Sequence, residues 1–252
     1  MKGVDCVGKV FTSNKCGDFK VVEYVSPTNV LIEFLQTGTT SIVRLGGILN
    51  GHVKDRMYPS VHGVGFLGVG KYNSKEDNRA YGIWSKMLLR CYNHNSRFKY
   101  PTYKDVTVCD EWLNFQNFAE WCYSQDYFKY KDENGKSYQM DKDILVKGNK
   151  IYSPETCCFV PAYINTILLG SDKTRGMYPK GVFYHKGKRK FVAQLRASLG
   201  GKNYLGAFDT EEEAFQAYKK AKESLVLEAA CKFKGVLDTR VYSALMNWEI
   251  TN

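Results

Sequence analysis

The stretch between Lys173 and Lys202 carries nine lysine and arginine residues and no aspartate or glutamate. Within it, the run KFVAQLR alternates in polarity, as a strand with one polar and one apolar face does. The predicted polar face comprises Lys190, Val192, Gln194 and Arg196, and the predicted apolar face comprises Phe191, Ala193 and Leu195. A strand of this kind needs a partner that covers its apolar face, so the stretch constrains what must follow it.

The segment that follows supplies this partner. A turn at 199–201 leads into KNYLGAF, the third strand of this segment, and then Thr210 and Glu213 have the spacing of a capping box at a helix start. The apolar stripe of that helix is Ala214, Ala217, Tyr218, Ala221 and Leu225. The pattern predicts a three-stranded antiparallel sheet packed on one helix, with its other face basic. Such a ribbon can enter the major groove of DNA.

The overall composition agrees with a polyanionic partner. The chain has 252 residues, a formal net charge of +10 and 44% hydrophobic residues, which is enough for packed cores. Its first residues lack the apolar core of a signal peptide, and its apolar runs are too short to span a bilayer. We therefore expect a cytoplasmic protein with no membrane partner.

The eight cysteines do not form a metal-binding or disulfide pattern. None is part of a CxxC motif, and no cysteine pair lies at zinc-finger distance from a histidine pair. Reduced, mostly buried thiols in a reducing compartment are the better interpretation.

Residues 1–75 are predicted to form a small β-barrel-like module. FKVVEYVSPTNVLIEFLQTG has the pattern of two strands joined at 26–29, and TTSIVRLGGIL that of a third. The glycine-rich run at 63–73 lacks the Gly-Lys-Ser/Thr ending of a phosphate loop, so we interpret it as a linker or strand turn.

Residues 76–172 are predicted to be mainly helical. Two aromatic stripes have helical spacing, and we expect them to be core. They are Ile83, Trp84, Met87, Leu88 and Cys91, and then Trp112, Phe115, Phe118, Ala119 and Cys122. The polar segment DKDILVKGNKIYSPET lies between the second helix and a third apolar stretch, CCFVPAYINTILL. The third predicted domain is 173–252 and contains the three-stranded sheet packed on one helix. Together with the β module and the helical middle region, it predicts an α+β protein.

The segment 180–222 resembles an AP2-type DNA-binding domain. The matched elements are Gly181-Val182, the strand ending Gln194-Leu195-Arg196, the strand at 204–208 and the Thr-Glu-Glu-Glu-Ala helix start. The resemblance implies double-stranded DNA as the partner. The predicted DNA-binding residues are Lys180, Tyr184, His185, Lys188, Arg189, Lys190, Gln194, Arg196, Lys202 and Tyr204. Phe183 and His185 stand where plant relatives usually carry arginine, so base preference is not carried over.

The middle segment, TVCDEWLNFQNFAEW followed by YSPETC, resembles phage and mobile-element endonucleases of the HNH class. AP2 modules frequently follow such sites in phage homing endonucleases. The two resemblances together imply a phage or mobile-element protein acting in a bacterial host cell. Relatives that cut both strands need a dimer, so a homodimer stays open, although no heptad pattern is visible.

An HNH site needs a general base and a divalent metal ion. By the resemblance, Asp141 keeps the acidic ligand position, while Lys142 takes the position of the motif histidine. Ile151 and Thr156 stand where the family usually has asparagines, and Asn149 replaces one of them only if the loop bends differently.

A lysine with an ordinary pKa near 10.4 is protonated at pH 7 and cannot act as a base. Asp143 supplies a second carboxylate on the same face as Asp141 if the segment is extended, and the pair is the predicted site for Mg²⁺ or Mn²⁺. The candidate catalytic residues are Asp141, Lys142, Asp143 and Asn149. His94, in a loop before this segment, is expected to be surface.

Two functions therefore stay open. The chain is either a homing-type endonuclease or nickase directed by its AP2-like module, or a relative that binds DNA without cleaving it, such as a transcriptional repressor. A zinc-organised RNA-binding protein is disfavoured, because neither a metal-ligand cluster nor an exposed stacking motif is evident.

Overall fold

The computed structural model describes residues 3–168, 177–196 and 202–250. The contacts divide the chain into two compact units. The N-terminal unit comprises Met1–Cys122 with Lys150–Ser153, and the C-terminal unit comprises Tyr123–Asn149 with Pro154–Asn252. The predicted boundary at 172/173 lies outside the described residues, and the three-domain division stays a prediction.

The described residues form a mixed α+β protein, as predicted. The strands in this part of the chain are β1 (Val10–Ser13), β2 (Gly17–Ser26), β3 (Asn29–Phe34), β4 (Thr40–Val43), β5 (Thr107–Val108), β6 (Gln139–Asp141), β7 (Ile151–Tyr152), β8 (Cys158–Val160), β9 (Val182–His185), β10 (Lys190–Arg196) and β11 (Lys202–Phe208). The α-helices are α1 (Leu45–Leu49), α2 (Asn78–Tyr92), α3 (His94–Lys99), α4 (Phe115–Ser124), α5 (Ala162–Leu168), α6 (Glu211–Lys232) and α7 (Thr239–Met246). Among the described residues, no helix is both long and apolar enough to cross a bilayer.

The chain begins with an antiparallel sheet in which β1, β2, β3 and β4 pair in sequence order. Alternate side chains of β2 and β3 fill its core, including Phe19, Val21, Val30, Ile32 and Phe34. The two strands predicted around Ser26 and Asn29 are confirmed. The predicted third strand ends at Val43, because the sequence after it turns into α1 and buries Ile48 in the same core.

The two aromatic stripes are core, as predicted, and are buried in the N-terminal unit apart from the partly buried Ile83. Trp84 on α2 is fully buried, and its indole nitrogen donates to the carbonyl oxygen of Trp112 at 2.6 Å. The ring of Phe115 on α4 lies 5.3 Å from that of Trp84. Strands β5 and β7 pair in parallel beside these helices.

The glycine-rich run at 63–73 packs against α2 and α4. A Cβ on Gly65 would lie 2.3 Å from Leu88, and a Cβ on Gly70 would lie 2.4 Å from Gln116. The Gln116 amide accepts from the backbone of Tyr72 at 3.0 Å and donates to the carbonyl of Leu67 at 2.8 Å. The glycines are therefore needed for close packing, which accounts for them without a phosphate ligand.

The C-terminal unit contains two hydrophobic cores that share α6. Strands β9, β10 and β11 form an antiparallel sheet in the order β11-β10-β9, and Val182 and Ala193 pack with Ala214 and Phe215 of α6. The antiparallel pair β6–β8 and the helices α5 and α7 form the other core with the second half of α6. Its members include Val160, Ile164, Val226, Ala229 and Leu245.

The start of α6 is the predicted capping box. The Thr210 hydroxyl accepts from the Glu213 amide, and the Glu213 carboxylate accepts from the Thr210 amide, both at 3.2 Å. The predicted apolar stripe is only partly buried beyond Ala214, while Phe215 and Val226 are buried outside it. The difference arises because α6 packs on both cores, whereas the stripe accounts for the sheet alone.

Candidate nucleic-acid interface and the Asp141 loop

The register of β9, β10 and β11 defines a face turned away from α6, which we call the outer face. The opposite face of β10 carries Phe191, Ala193 and Leu195. Ala193 belongs to the core beneath the sheet, as predicted. The positions on the outer face are Lys190, Val192 and Gln194 with their cross-strand partners His185, Phe183, Ala207 and Tyr204. Arg196 and Lys202 pair at the next outer position, but their side chains lie outside the described part of the chain.

Several predicted DNA-binding residues come together on this face. The ring of Tyr204 is 56% exposed, and the Lys188 ammonium lies 5.3 Å from its centroid. The backbone amide of Lys188 donates to Nδ1 of His185 at 3.2 Å, which orders the turn between β9 and β10. The face thus combines cations, an amide and an exposed aromatic ring.

Two outer-face positions differ from the simple polar pattern. Val192 is buried, although it shares a face with Lys190 and Gln194. Lys190 forms an ion pair with Asp209, the first residue after β11. The ammonium of Lys190 is therefore partly neutralised within the module itself, and sequence reasoning missed Asp209 because acidic residues after a strand are common.

Three predicted DNA-binding residues lie away from the outer-face positions. Tyr184 is on the opposite side of β9, where the centroid of its ring lies 5.2 Å from that of the Phe191 ring. Lys180 lies in the turn before β9, and Arg189 lies in the β9–β10 turn with a left-handed φ of 51°. Of the three, Arg189 is an exposed cation next to Lys188.

The Gly181-Val182 element is where the sheet meets α6. Gly181 has φ +75°, and a Cβ there would lie 2.0 Å from the ring of Tyr218. The carbonyl oxygen of Gly181 also accepts a hydrogen bond from the backbone amide of Gln194 at 2.8 Å. Glycine is required at this position because any side chain would push the start of β9 off the helix.

A β-bulge lies at Leu205 in β11. Ala193 pairs with Gly206 and Gln194 pairs with Tyr204, so Leu205 has no opposite residue. Bulges redirect side chains and increase the local twist of a sheet. Here the bulge is next to the paired positions of Gln194 and Tyr204, which lie at the centre of the candidate interface.

The predicted nuclease segment forms a tight loop after β6. Oδ1 of Asp141 accepts from the amide of Asp143 at 2.7 Å and from the amide of Ile144 at 2.9 Å. Burial raises the pKa of Asp141 above its ordinary value, even though these hydrogen bonds and Lys142 act in the opposite direction. The segment is thus a turn stabilised by Asp141, so the extended conformation that would place Asp141 and Asp143 on the same face of a strand is not formed.

Lys142 closes this loop. Its side chain is buried, and its ammonium donates to Oδ1 of Asp143 at 2.6 Å and to the carbonyl of Asn149 at 2.8 Å. The amide of the Asn149 side chain donates back to the carbonyl of Lys142 at 2.8 Å. All four candidate catalytic residues therefore take part in one hydrogen-bond network that holds residues 141–149.

The carboxylates of Asp141 and Asp143, the predicted ligands of a divalent ion, each have partners within the loop. The Asp143 carboxylate already carries the Lys142 ammonium, and Oδ1 of Asp141 carries two amide protons. In the described ranges, no three histidine, cysteine, aspartate or glutamate side chains cluster as metal ligands. A metal that used both carboxylates would share Asp143 with the Lys142 ammonium or displace it.

No family model, curated protein or solved structure matches this chain. Its interpretation therefore depends on the two sites themselves.

The remaining residues named from the sequence lie elsewhere. Ile151 is in β7 and pairs with Thr107 in the N-terminal unit. His94 is the exposed first residue of α3. Cys158, on β8, donates its thiol to the carbonyl of Asp141 at 3.9 Å, and burial raises its pKa, which keeps the thiol protonated.

Sequence reasoning also missed Lys222. This lysine of α6 is buried, and its ammonium donates to the carbonyl of Ile167 near the end of α5. Burial, followed by repulsion from Lys180, lowers its pKa. Nothing in the run YKKAKES distinguishes this lysine from its exposed neighbours, because the contact depends on the position of α5.

Proposed function

We propose that this chain is a sequence-specific double-stranded DNA-binding protein that reads the major groove with the outer face of β9, β10 and β11. The observation that carries the proposal is the row on β10, where Lys190 and Gln194 share one face and Arg196 holds the next outer position. The AP2-like order of sequence elements supports the same function.

The dimensions of the sheet support groove entry. Three strands spaced about 4.8 Å apart span about 10 Å, and the major groove is about 12 Å wide. Glutamine pairs with adenine, and arginine or lysine pairs with guanine, through two hydrogen bonds each. We assign Gln194 and Arg196 to base readout and Lys188 to a phosphate contact.

We further propose that the protein binds DNA without cleaving it, as a transcriptional repressor would. A general base must accept a proton, but the position of the motif histidine holds a buried lysine ammonium bound to Asp143 and Asn149. Since these contacts use the side chains that cleavage would need, the loop is better suited to holding the fold of the C-terminal unit.

A metal-dependent nickase is the second candidate, because both Asp141 and Asp143 are retained. In that function the two carboxylates would hold Mg²⁺ or Mn²⁺, and the ion would supply water activation and charge stabilisation. The ion would share the Asp143 carboxylate with the Lys142 ammonium or displace it. Either function fits a phage or mobile-element protein in the cytoplasm of a bacterial host.

The binding assignment is tested with the full chain on duplexes selected from a random pool. Arg196→Ala should weaken binding to the selected duplex by about 1–3 kcal/mol and relax selectivity at one base pair. Lys188→Ala should weaken binding to all duplexes and reduce the salt slope by about one. Equal losses from both variants on every duplex would contradict the assignment of Arg196 to base readout.

Cleavage is tested on supercoiled plasmid that carries the selected site, with Mg²⁺ or Mn²⁺, comparing wild type and Asp141→Ala. Tight binding without nicking in either metal supports the repressor function. Metal-dependent nicking that Asp141→Ala abolishes, in a variant that still binds the site, supports the nickase.

A further inference from the structure

A second basic stretch of the N-terminal unit covers α2 and the residues that follow it. From Asn78 to Lys104 the chain has six lysine and arginine residues and no carboxylate; Asp105 is the next acidic residue. Its last part, which we call the α3 segment, is His94–Lys104 and comprises α3 and a short 3-10 helix at Pro101–Tyr103. The described positions of Lys99 and Lys104 are both exposed.

Phe98 is the unusual residue of the α3 segment. Its side chain is 85% exposed, although phenylalanine is normally buried. Arg97 and Lys99 flank it directly, and the half-exposed ring of Tyr100 follows. An exposed aromatic ring among cations is the arrangement with which proteins stack on bases while binding the phosphate backbone.

Internal hydrogen bonds hold the α3 segment in this conformation. The Asn93 side chain accepts from the Ser96 amide at 3.0 Å and caps α3. The Arg97 guanidinium donates to the carbonyl of Lys104, which ties the two ends of the segment together. Arg97 therefore has a structural role. Lys99 and Lys104 are exposed cations of the segment, and the Lys99 ammonium lies 5.6 Å from the centroid of the Tyr100 ring.

We infer that the α3 segment is a second DNA-contacting surface. Lys99 and Lys104 contact phosphates, and Phe98 inserts against a base at an opened or kinked step, as apolar wedges do in DNA-bending proteins. The inference rests on the proposed DNA binding and adds a sequence-independent contact to it.

DNA is favoured over an anionic membrane by the amount of apolar surface. Amphipathic membrane helices bury a whole apolar face in the lipid boundary. On α3, which has six residues, Phe98 is the large exposed apolar side chain, within a set of exposed polar and basic residues. One ring suits a single base step better than a lipid surface.

The test measures binding of the full chain to its selected duplex by fluorescence anisotropy over a range of salt concentrations. Phe98→Ser should raise Kd about 5- to 150-fold with little change in salt slope, from about 1–3 kcal/mol per stacked base. The Lys99→Ala/Lys104→Ala double variant should reduce the slope by about two, at about 0.9 per phosphate contact. Val69→Ser is the control, because Val69 is 71% exposed in the same unit outside the α3 segment.

The outcomes separate this inference from the proposed function. If the wild type binds its duplex and Phe98→Ser matches Val69→Ser within twofold, the α3 inference fails while the DNA-binding function stands. If the wild type binds no duplex, both fail. If Phe98→Ser retains DNA affinity but loses binding to phosphatidylglycerol vesicles, the segment is a membrane contact and the inference is overturned. The fluorescence of a 2-aminopurine at the base step against which Phe98 inserts should increase when the wild type binds. With Phe98→Ser it should stay quenched.

Discussion

The role of Lys142 is the most informative point to test, because the structural and catalytic interpretations make opposite predictions. Lys142→Met keeps the length of the side chain and removes its charge and donors. The lost interactions include the ammonium contacts to the Asn149 carbonyl at 2.8 Å and to the Asp143 carboxylate at 2.6 Å. The reciprocal bond from the Asn149 side chain to the Lys142 carbonyl involves only the backbone of residue 142 and can persist.

The expected loss follows from these two contacts. A hydrogen bond from a charged donor contributes about 1.5–3 kcal/mol, and we assign this to the contact with the Asn149 carbonyl. The Asp143 side chain is 51% exposed, so its ion pair is screened and contributes about 0–1 kcal/mol. Removing a buried charge also relieves a desolvation cost. We expect the free energy of unfolding to fall by about 2 kcal/mol, with DNA affinity of the folded protein unchanged.

Urea denaturation followed by tryptophan fluorescence measures this loss, with anisotropy for DNA binding. Lys147→Met is the matched control, since Lys147 is an exposed lysine of the same loop that donates to the carbonyl of Glu249. It should change stability by less than about 0.5 kcal/mol. If Lys142→Met is as stable as Lys147→Met, or if it abolishes a metal-dependent nicking activity, the structural interpretation of Lys142 is refuted.

Three further predictions concern the C-terminal unit. Because burial raises the pKa of Asp141, its charged form opposes folding above that pKa; Asp141→Asn should therefore raise the melting temperature at pH 7, and the gain should vanish as pH falls below the ordinary value near 4. Constant gain at all pH values would contradict this. Gly181→Ala should cost about 1–3 kcal/mol in urea denaturation through its contact with Tyr218, whereas Gly187→Ala in the exposed turn should be nearly neutral. Thr210→Ala should cost about 1 kcal/mol and speed amide exchange in the first turn of α6, while Thr210→Ser should behave as wild type.

Local patterns in the sequence predicted the elements that local forces determine. Alternation identified β2, β3 and β10, and helical spacing identified α2 and α4, because each of these buries one face. The capping box at Thr210 was visible for the same reason, since both of its partners lie within three residues. The two-glycine run LGGIL gave no helical signal, and α1 forms there because Ile48 fills the sheet core.

The details of the candidate sites depended on contacts that the sequence does not display. The sequence left open whether the Asp141–Asp143 segment is extended, and the two backbone amides that bind Asp141 turn it into a loop. The burial of Lys142 requires the carbonyl of Asn149, seven residues later. The pairing of Lys190 with Asp209 likewise depends on the register of β10 and β11.

The shared helix α6 couples two parts of the molecule that would otherwise be judged independent. Its first half supports the sheet through Ala214, and its second half packs on β8 and α5 through Val226 and Ala229. By thermodynamic linkage, a ligand that occupies the sheet stabilises everything that unfolds with it, by about 2.7 kcal/mol at 100 times Kd. If the proposed function holds, a genetic screen for loss of DNA binding should return core substitutions at Val160 and Ile164 as well as changes on the outer face. Such core variants would lose binding because the C-terminal unit unfolds, and the loss would depend on temperature. That dependence would separate them from variants that change outer-face residues and remain folded.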